Sequence, residues 1–116
     1  RIIYVKQSET RSFVIVDAGM NDLIRPTLYD AYHAVVPVAE QKAGKEVLVD
    51  LVGPVCETGD IFAEQRKLFL PKAGDLLAIR STGAYGASMA STYNARPLVA
   101  EVMVNGGKYS VVRARQ

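Results

Sequence analysis

"LVAEVMVNGGKYSVVRA", residues 98–114, sets two valine-rich runs on either side of Asn105-Gly106-Gly107. β-Branched residues favour a pleated strand, and Asn and Gly tolerate the positive φ of a tight turn, so the stretch reads as a β-hairpin. The same grammar recurs toward the N-terminus. "DLLAIRST" (75–82) is a strand entered through the turn "PKAGD" (71–75), and "EVLVDLVG" (46–53) is a strand with apolar residues on both faces. A polar turn with Gly44 is expected over 41–45. In "TLYDAYHAVVPVAE" (27–40) the first part reads as a short helical turn and 32–38 as strand, while 2–5 and "SFVIVD" (12–17) are two strands around the polar segment 7–11. Six or seven strands with little helix predict a mainly all-β chain, a small antiparallel β-barrel or sandwich with one or two short helical turns.

Length and composition set the boundaries of function. At 116 residues, 49% hydrophobic and 22% charged, the chain reads as one globular domain with no apolar run long enough for a membrane span. The net charge is +2, with Lys and Arg scattered rather than clustered, which argues against a nucleic-acid partner. One cysteine cannot form an internal disulfide, and the opening Arg1-Ile2-Ile3 lacks the layout of a signal peptide, so a cytoplasmic location is expected. The first residue is not Met, and with a strand-like opening this reads as a domain cut from a longer chain.

Three loops carry chemistry. "GPVCETGD" (53–60) places Cys56 beside Glu57. On a straight strand consecutive side chains point to opposite faces, but Gly53, Pro54 and Gly59 make a bend from whose tip both can project. An ordinary thiol is mostly protonated at neutral pH and is better placed to donate a proton than to attack as a nucleophile. The alternative is a small buried cysteine next to a solvated glutamate. No metal is expected, because His33 is far along the chain from Cys56 and no second Cys or His stands at ligand spacing; His33 reads as structural.

In "DAGMNDLIRPTLY" (17–29), Pro26 suits the first turn of a helix that would set Arg25 and Tyr29 four residues apart on one face. A guanidinium with a phenol beside it can grip a carboxylate; alternatively the Arg stacks on the Tyr ring at the surface. In "STGAYGASMASTYN" (81–94), small residues permit close approach to a neighbour around one large side chain, Tyr85. Neither the Gly-Lys-Ser/Thr of a nucleotide-phosphate loop nor a dinucleotide fingerprint is present. A tightly packed helical turn explains the composition equally well.

In this order, "VDAGMNDLIRPTLYDAYH", "GPVCETGD" and "GAYGASMASTYNARPLVAEVMV" resemble the C-terminal β domain of the diaminopimelate decarboxylase family, within the alanine-racemase-like, fold-type III pyridoxal-phosphate enzymes. The resemblance runs from Ser12 to about Arg115. It implies decarboxylation of meso-diaminopimelate to L-lysine, the last step of lysine biosynthesis, with pyridoxal phosphate as cofactor. It also implies roles: Cys56 the proton donor, Glu57 the partner of the substrate's distal amino group, Arg25 and Tyr29 the holders of a substrate carboxylate, and Tyr85 a contact to cofactor phosphate and substrate. By the same resemblance the active site lies at a homodimer interface, and an N-terminal α/β barrel absent from this chain carries the Schiff-base lysine and the glycine-rich phosphate loop. Thr58 stands where the family has serine. Ornithine and arginine decarboxylases of the same fold share the Cys-acid and Gly-Ala-Tyr loops, so they remain an alternative, as does a non-catalytic β-barrel assembly module.

Overall fold

The computed structural model describes residues 1–41 and 43–116. Among these the order is β1 Ile2–Gln7, β2 Ser12–Val16, α1 Arg25–Tyr29, β3 Val35–Pro37, β4 Glu46–Val52, β5 Ile61–Phe69, β6 Leu77–Ile79, α2 Gly86–Met89, a 3₁₀ turn at Tyr93–Ala95, β7 Glu101–Asn105 and β8 Lys108–Arg113. The chain is mainly β with two short helices, as expected. The turn anticipated over 41–45 includes Lys42, which lies outside the described residues.

The strands form three sheets, ordered β1-β2-β4-β5, β3-β6 and β7-β8. Among the described residues the antiparallel barrel expected from the sequence does not form. The sheets do not close into a barrel, and they are not purely antiparallel, because β2 runs parallel to β4 with Val14 opposite Leu51. A parallel pair needs a long crossover, which the excursion through α1 and β3 supplies. That excursion also carries one of the three chemically loaded loops.

β2 shows why the hydrophobic pattern identified it: Ser12, Val14 and Val16 are buried while Phe13 and Ile15 are only half-buried. Val14, Val49 and Leu51 centre the core, with Ile2, Val16, Leu23, Phe62 and Leu68 around them.

β5, nine residues long, has no counterpart in the sequence reading. Its alternation is broken by two bulges against β4, so Phe62 and Ala63 are consecutive and both buried. Gln65 takes φ 50° at one bulge, and the buried Asp50 caps it, accepting the Gln65 N–H at 2.9 Å and the Arg11 Nε–H at 2.6 Å. The 32–38 strand shrinks to Val35–Pro37, leaving His33 outside it, buried, with Nδ1 3.0 Å from the Arg80 carbonyl. Since a carbonyl only accepts, Nδ1 carries the proton, consistent with the structural role read for His33.

The C-terminal hairpin forms where expected, turning at Gly106 with φ 59°. Val102 faces Val111 and Val104 faces Tyr109, and all four are exposed. Among the described residues no helix is long and apolar enough to cross a membrane.

Candidate active site

The bend at 53–60 is organised by a residue the sequence reading passed over. Asp60 is buried, and its two oxygens accept separate backbone N–H groups, Oδ1 from Met20 and Oδ2 from Val55, each at 2.7 Å. One carboxylate thereby ties the Cys-Glu bend to the loop that leads into α1. The Gly53 N–H bonds to the Asp60 carbonyl at 2.9 Å, and the Asp60 N–H to the Glu57 carbonyl at 3.1 Å, closing the bend.

A Cβ on Gly53 would lie 2.3 Å from Asp60 Oδ2, and the carboxylate is held by both its bonds and cannot retreat. Gly53→Ala is therefore expected to cost roughly 1–3 kcal/mol, read as a lower thermal midpoint of the full-length protein. An unchanged midpoint would mean that the bend is softer than its bonds imply.

The bend buries Val55 and leaves Cys56 and Glu57 exposed at its tip. The reading of Cys56 as a buried structural residue is thus excluded. Both reactive side chains project outward, as the Gly and Pro residues predicted.

α1 begins with Pro26 in its first turn and stops at Asp30, whose left-handed φ of 54° ends the helix. Arg25 and Tyr29 occupy the same short helix, both ends of one turn. The Arg25 guanidinium, however, stacks over Tyr85 at 5.2 Å, across loops, rather than over Tyr29, which is exposed. The Thr27 hydroxyl donates to the Gly59 carbonyl, fastening α1 to the Cys-Glu bend.

The small-residue loop at 81–94 folds into α2 with Tyr85 just ahead of it; the Met89 N–H reaches the Tyr85 carbonyl at 3.0 Å. Beyond α2, Ser91 is clasped by Asn21: its N–H donates to the Asn21 carbonyl at 2.9 Å, and the Asn21 side-chain amide donates back at 3.4 Å. Asn21 is almost wholly buried. Its role escaped the sequence reading, although Asn in a loop, able to bond the backbone both ways, was the available signal. The Tyr93 hydroxyl then donates to Glu57 Oε2 at 3.4 Å.

Three contacts make a closed triangle. Thr27 with Gly59 joins α1 to the bend, Arg25 with Tyr85 joins α1 to the small-residue loop, and Tyr93 with Glu57 joins that loop back to the bend. Loops separated along the chain thus present a thiol, a carboxylate, a guanidinium and phenols together. Such a set can donate a proton, pair with an ammonium and hold an anionic oxygen. A cavity of about 490 Å³ lies behind the small-residue loop, lined by Asp17, Thr82, Gly83, Gly86 and Arg96 among others, and none of Cys56, Glu57, Arg25, Tyr29 or Tyr85 borders it. Cys56, Glu57, Tyr29 and Tyr85 are exposed, and Arg25 is half-buried.

The family described as pyridoxal-dependent decarboxylase, C-terminal sheet domain, matches residues 1–83. Diaminopimelate decarboxylase of Zymomonas mobilis is 59% identical over all 116 residues, and that of Aquifex aeolicus 48%. The crystal structure of diaminopimelate decarboxylase from Helicobacter pylori complexed with L-lysine superposes with a TM-score of 0.90 at 43% identity, covering 99% of this chain and 28% of that one. The chain spans about 27% of the length of the curated relatives it matches.

Proposed function

Because the chain belongs to the pyridoxal-dependent decarboxylases, as their C-terminal sheet domain, we propose that it is the corresponding part of a diaminopimelate decarboxylase, a cytoplasmic enzyme that converts meso-diaminopimelate to L-lysine. The observation that carries this reading is the triangle of contacts that ties the elements bearing Arg25, Glu57 and Tyr85 together, with Cys56 next to Glu57 at the tip of the bend. High identity to relatives of that name over the whole chain supports the substrate.

The residues present fit pyridoxal phosphate at the rim of its site rather than around it. Tyr85, exposed and with the Arg25 guanidinium over its ring, offers a phenol donor toward anionic oxygens. The remaining requirements, a Schiff-base lysine and a glycine-rich phosphate loop, belong to an N-terminal α/β barrel, so the segment alone is inactive. When bound, the cofactor supplies the electron sink that lets the α-carboxylate leave as CO2.

The chain's own residues do the rest. Cys56 Sγ–H delivers the proton to the carbon that lost CO2. Glu57 pairs with the ammonium at the far end of the substrate, while Arg25 and Tyr29 hold the carboxylate there, so that binding energy remote from the reacting carbon orients it. Tyr85 contacts the phosphate region and the substrate. The site forms across a homodimer, the Cys56-Glu57 bend reaching into the partner's cofactor site. The half-exposed Tyr85 and Tyr93 rings are covered by the barrel in the full-length protein.

Assay of the full-length enzyme with meso-diaminopimelate, ornithine and arginine tests the reading. The expected kcat/KM is highest for meso-diaminopimelate; a preference for ornithine or arginine would move the protein to that branch, and no decarboxylation at all would leave an assembly module.

A further inference from the structure

Tyr93 is half exposed within this domain, so packing inside the domain alone does not account for its placement. It is nevertheless held from several directions. Its N–H bonds to Ser91 Oγ at 3.3 Å, and Ser91 is in turn clasped by the buried Asn21 through both its N–H and its carbonyl. Directly after it, Asn94 and Ala95 take φ 63° and 57°. Two successive left-handed residues are unfavourable for side chains with a Cβ, and an alanine there has no polar group to compensate. Such a conformation persists where the surroundings over-determine it. Arg96, next in line, donates to the Asp17 carbonyl and so pins the far end of the turn. The outcome of this anchoring is a phenol whose hydroxyl stands 3.4 Å from Glu57 Oε2.

The geometry points to Tyr93 as the residue that aims Glu57. This rests on the reading of Glu57 as the recogniser of a distal ammonium. Glu57 projects from a bend tip and is exposed, with rotamers to lose on binding. An ionised carboxylate only accepts hydrogen bonds, so a fixed phenol donor on Oε2 selects one orientation and leaves Oε1 for the ligand's ammonium. At 3.4 Å the bond is long, which suits a site that tightens when substrate arrives. Tyr93 is thereby a positioning residue: it acts on substrate affinity through Glu57 and not on proton delivery.

The test is a double-mutant cycle in the full-length enzyme. Tyr93→Phe keeps the ring and its packing and removes the hydroxyl. It is expected to raise KM for meso-diaminopimelate about tenfold, the worth of a hydrogen bond to a charged group, with kcat within about threefold and an unchanged thermal midpoint. In a Glu57→Gln background the same change is expected to alter KM less than about twofold, because the charge to be aimed is gone. Equal effects of Tyr93→Phe in both backgrounds, or none in either, would overturn the inference while leaving Glu57 its role. A Glu57→Gln variant with wild-type KM would remove that role and this inference together. A fall in kcat with KM unchanged would assign Tyr93 to chemistry instead and also overturn it.

Discussion

Replacing Cys56 by alanine in the full-length enzyme is expected to lower kcat by about 10²–10⁴-fold, the range over which a positioned acid or base acts, with substrate affinity nearly unchanged. The asymmetry follows from where the thiol stands. Cys56 is exposed at the tip of a bend whose shape is set by Asp60, Gly53 and Gly59, none of which the substitution touches, so the fold and the neighbouring Glu57 are preserved. In its proposed role the thiol acts on the reacting carbon only after CO2 has left, so its loss would affect the transition state and not the ground-state complex. Deuterium taken from solvent into the α-position should then lose its stereochemical preference, because water can approach from either side. Turnover unchanged in Cys56→Ala would remove the thiol from the mechanism.

How much of this was legible in the sequence depended on whether the deciding contact was local. β2 and the hairpin of β7 and β8 were readable because their alternation and turn residues lie within a few positions of each other. β5 was not, because its two bulges set Phe62 and Ala63 side by side in the core and left a polar middle that resembles a loop. The parallel pairing of β2 with β4 has no local mark at all, since a strand's own sequence does not specify the direction of its partner.

The site divides the same way. The outward tip holding Cys56 and Glu57 was readable from Gly53, Pro54 and Gly59. Helical spacing places Arg25 and Tyr29 on one short helix, while the ring the Arg25 guanidinium stacks on is Tyr85, brought across from another loop. Asp60 closes the motif "GPVCETGD" in plain view, yet a loop aspartate that collects two buried N–H donors looks the same in sequence as one that faces water.

The substitution Glu57→Gln keeps the side chain's shape and removes its charge, so a substrate ammonium would face a neutral amide in a site built for a carboxylate. A loss of about 10²-fold or more in kcat/KM for meso-diaminopimelate is expected, with cofactor loading retained, because a polar site left unmatched discriminates strongly. The same variant tests whether the bend works across a dimer. Pair a Glu57→Gln subunit with a subunit lacking the Schiff-base lysine. If Glu57 serves its partner's cofactor, one of the two sites collects both lesions and the other keeps a wild-type lysine with a wild-type Glu57, so mixed dimers recover activity at about half their sites. If Glu57 serves its own subunit, each site carries one lesion and nothing returns. Recovery is the expected result: Cys56 and Glu57 project from the bend into solvent, and neither they nor Arg25 and Tyr85 line the cavity behind the small-residue loop. In the proposed dimer a tip so placed would reach its target outside its own domain, and a two-fold axis would give each subunit the same reach into the other. Absence of recovery in dimers verified to be mixed would return the bend to its own subunit's site.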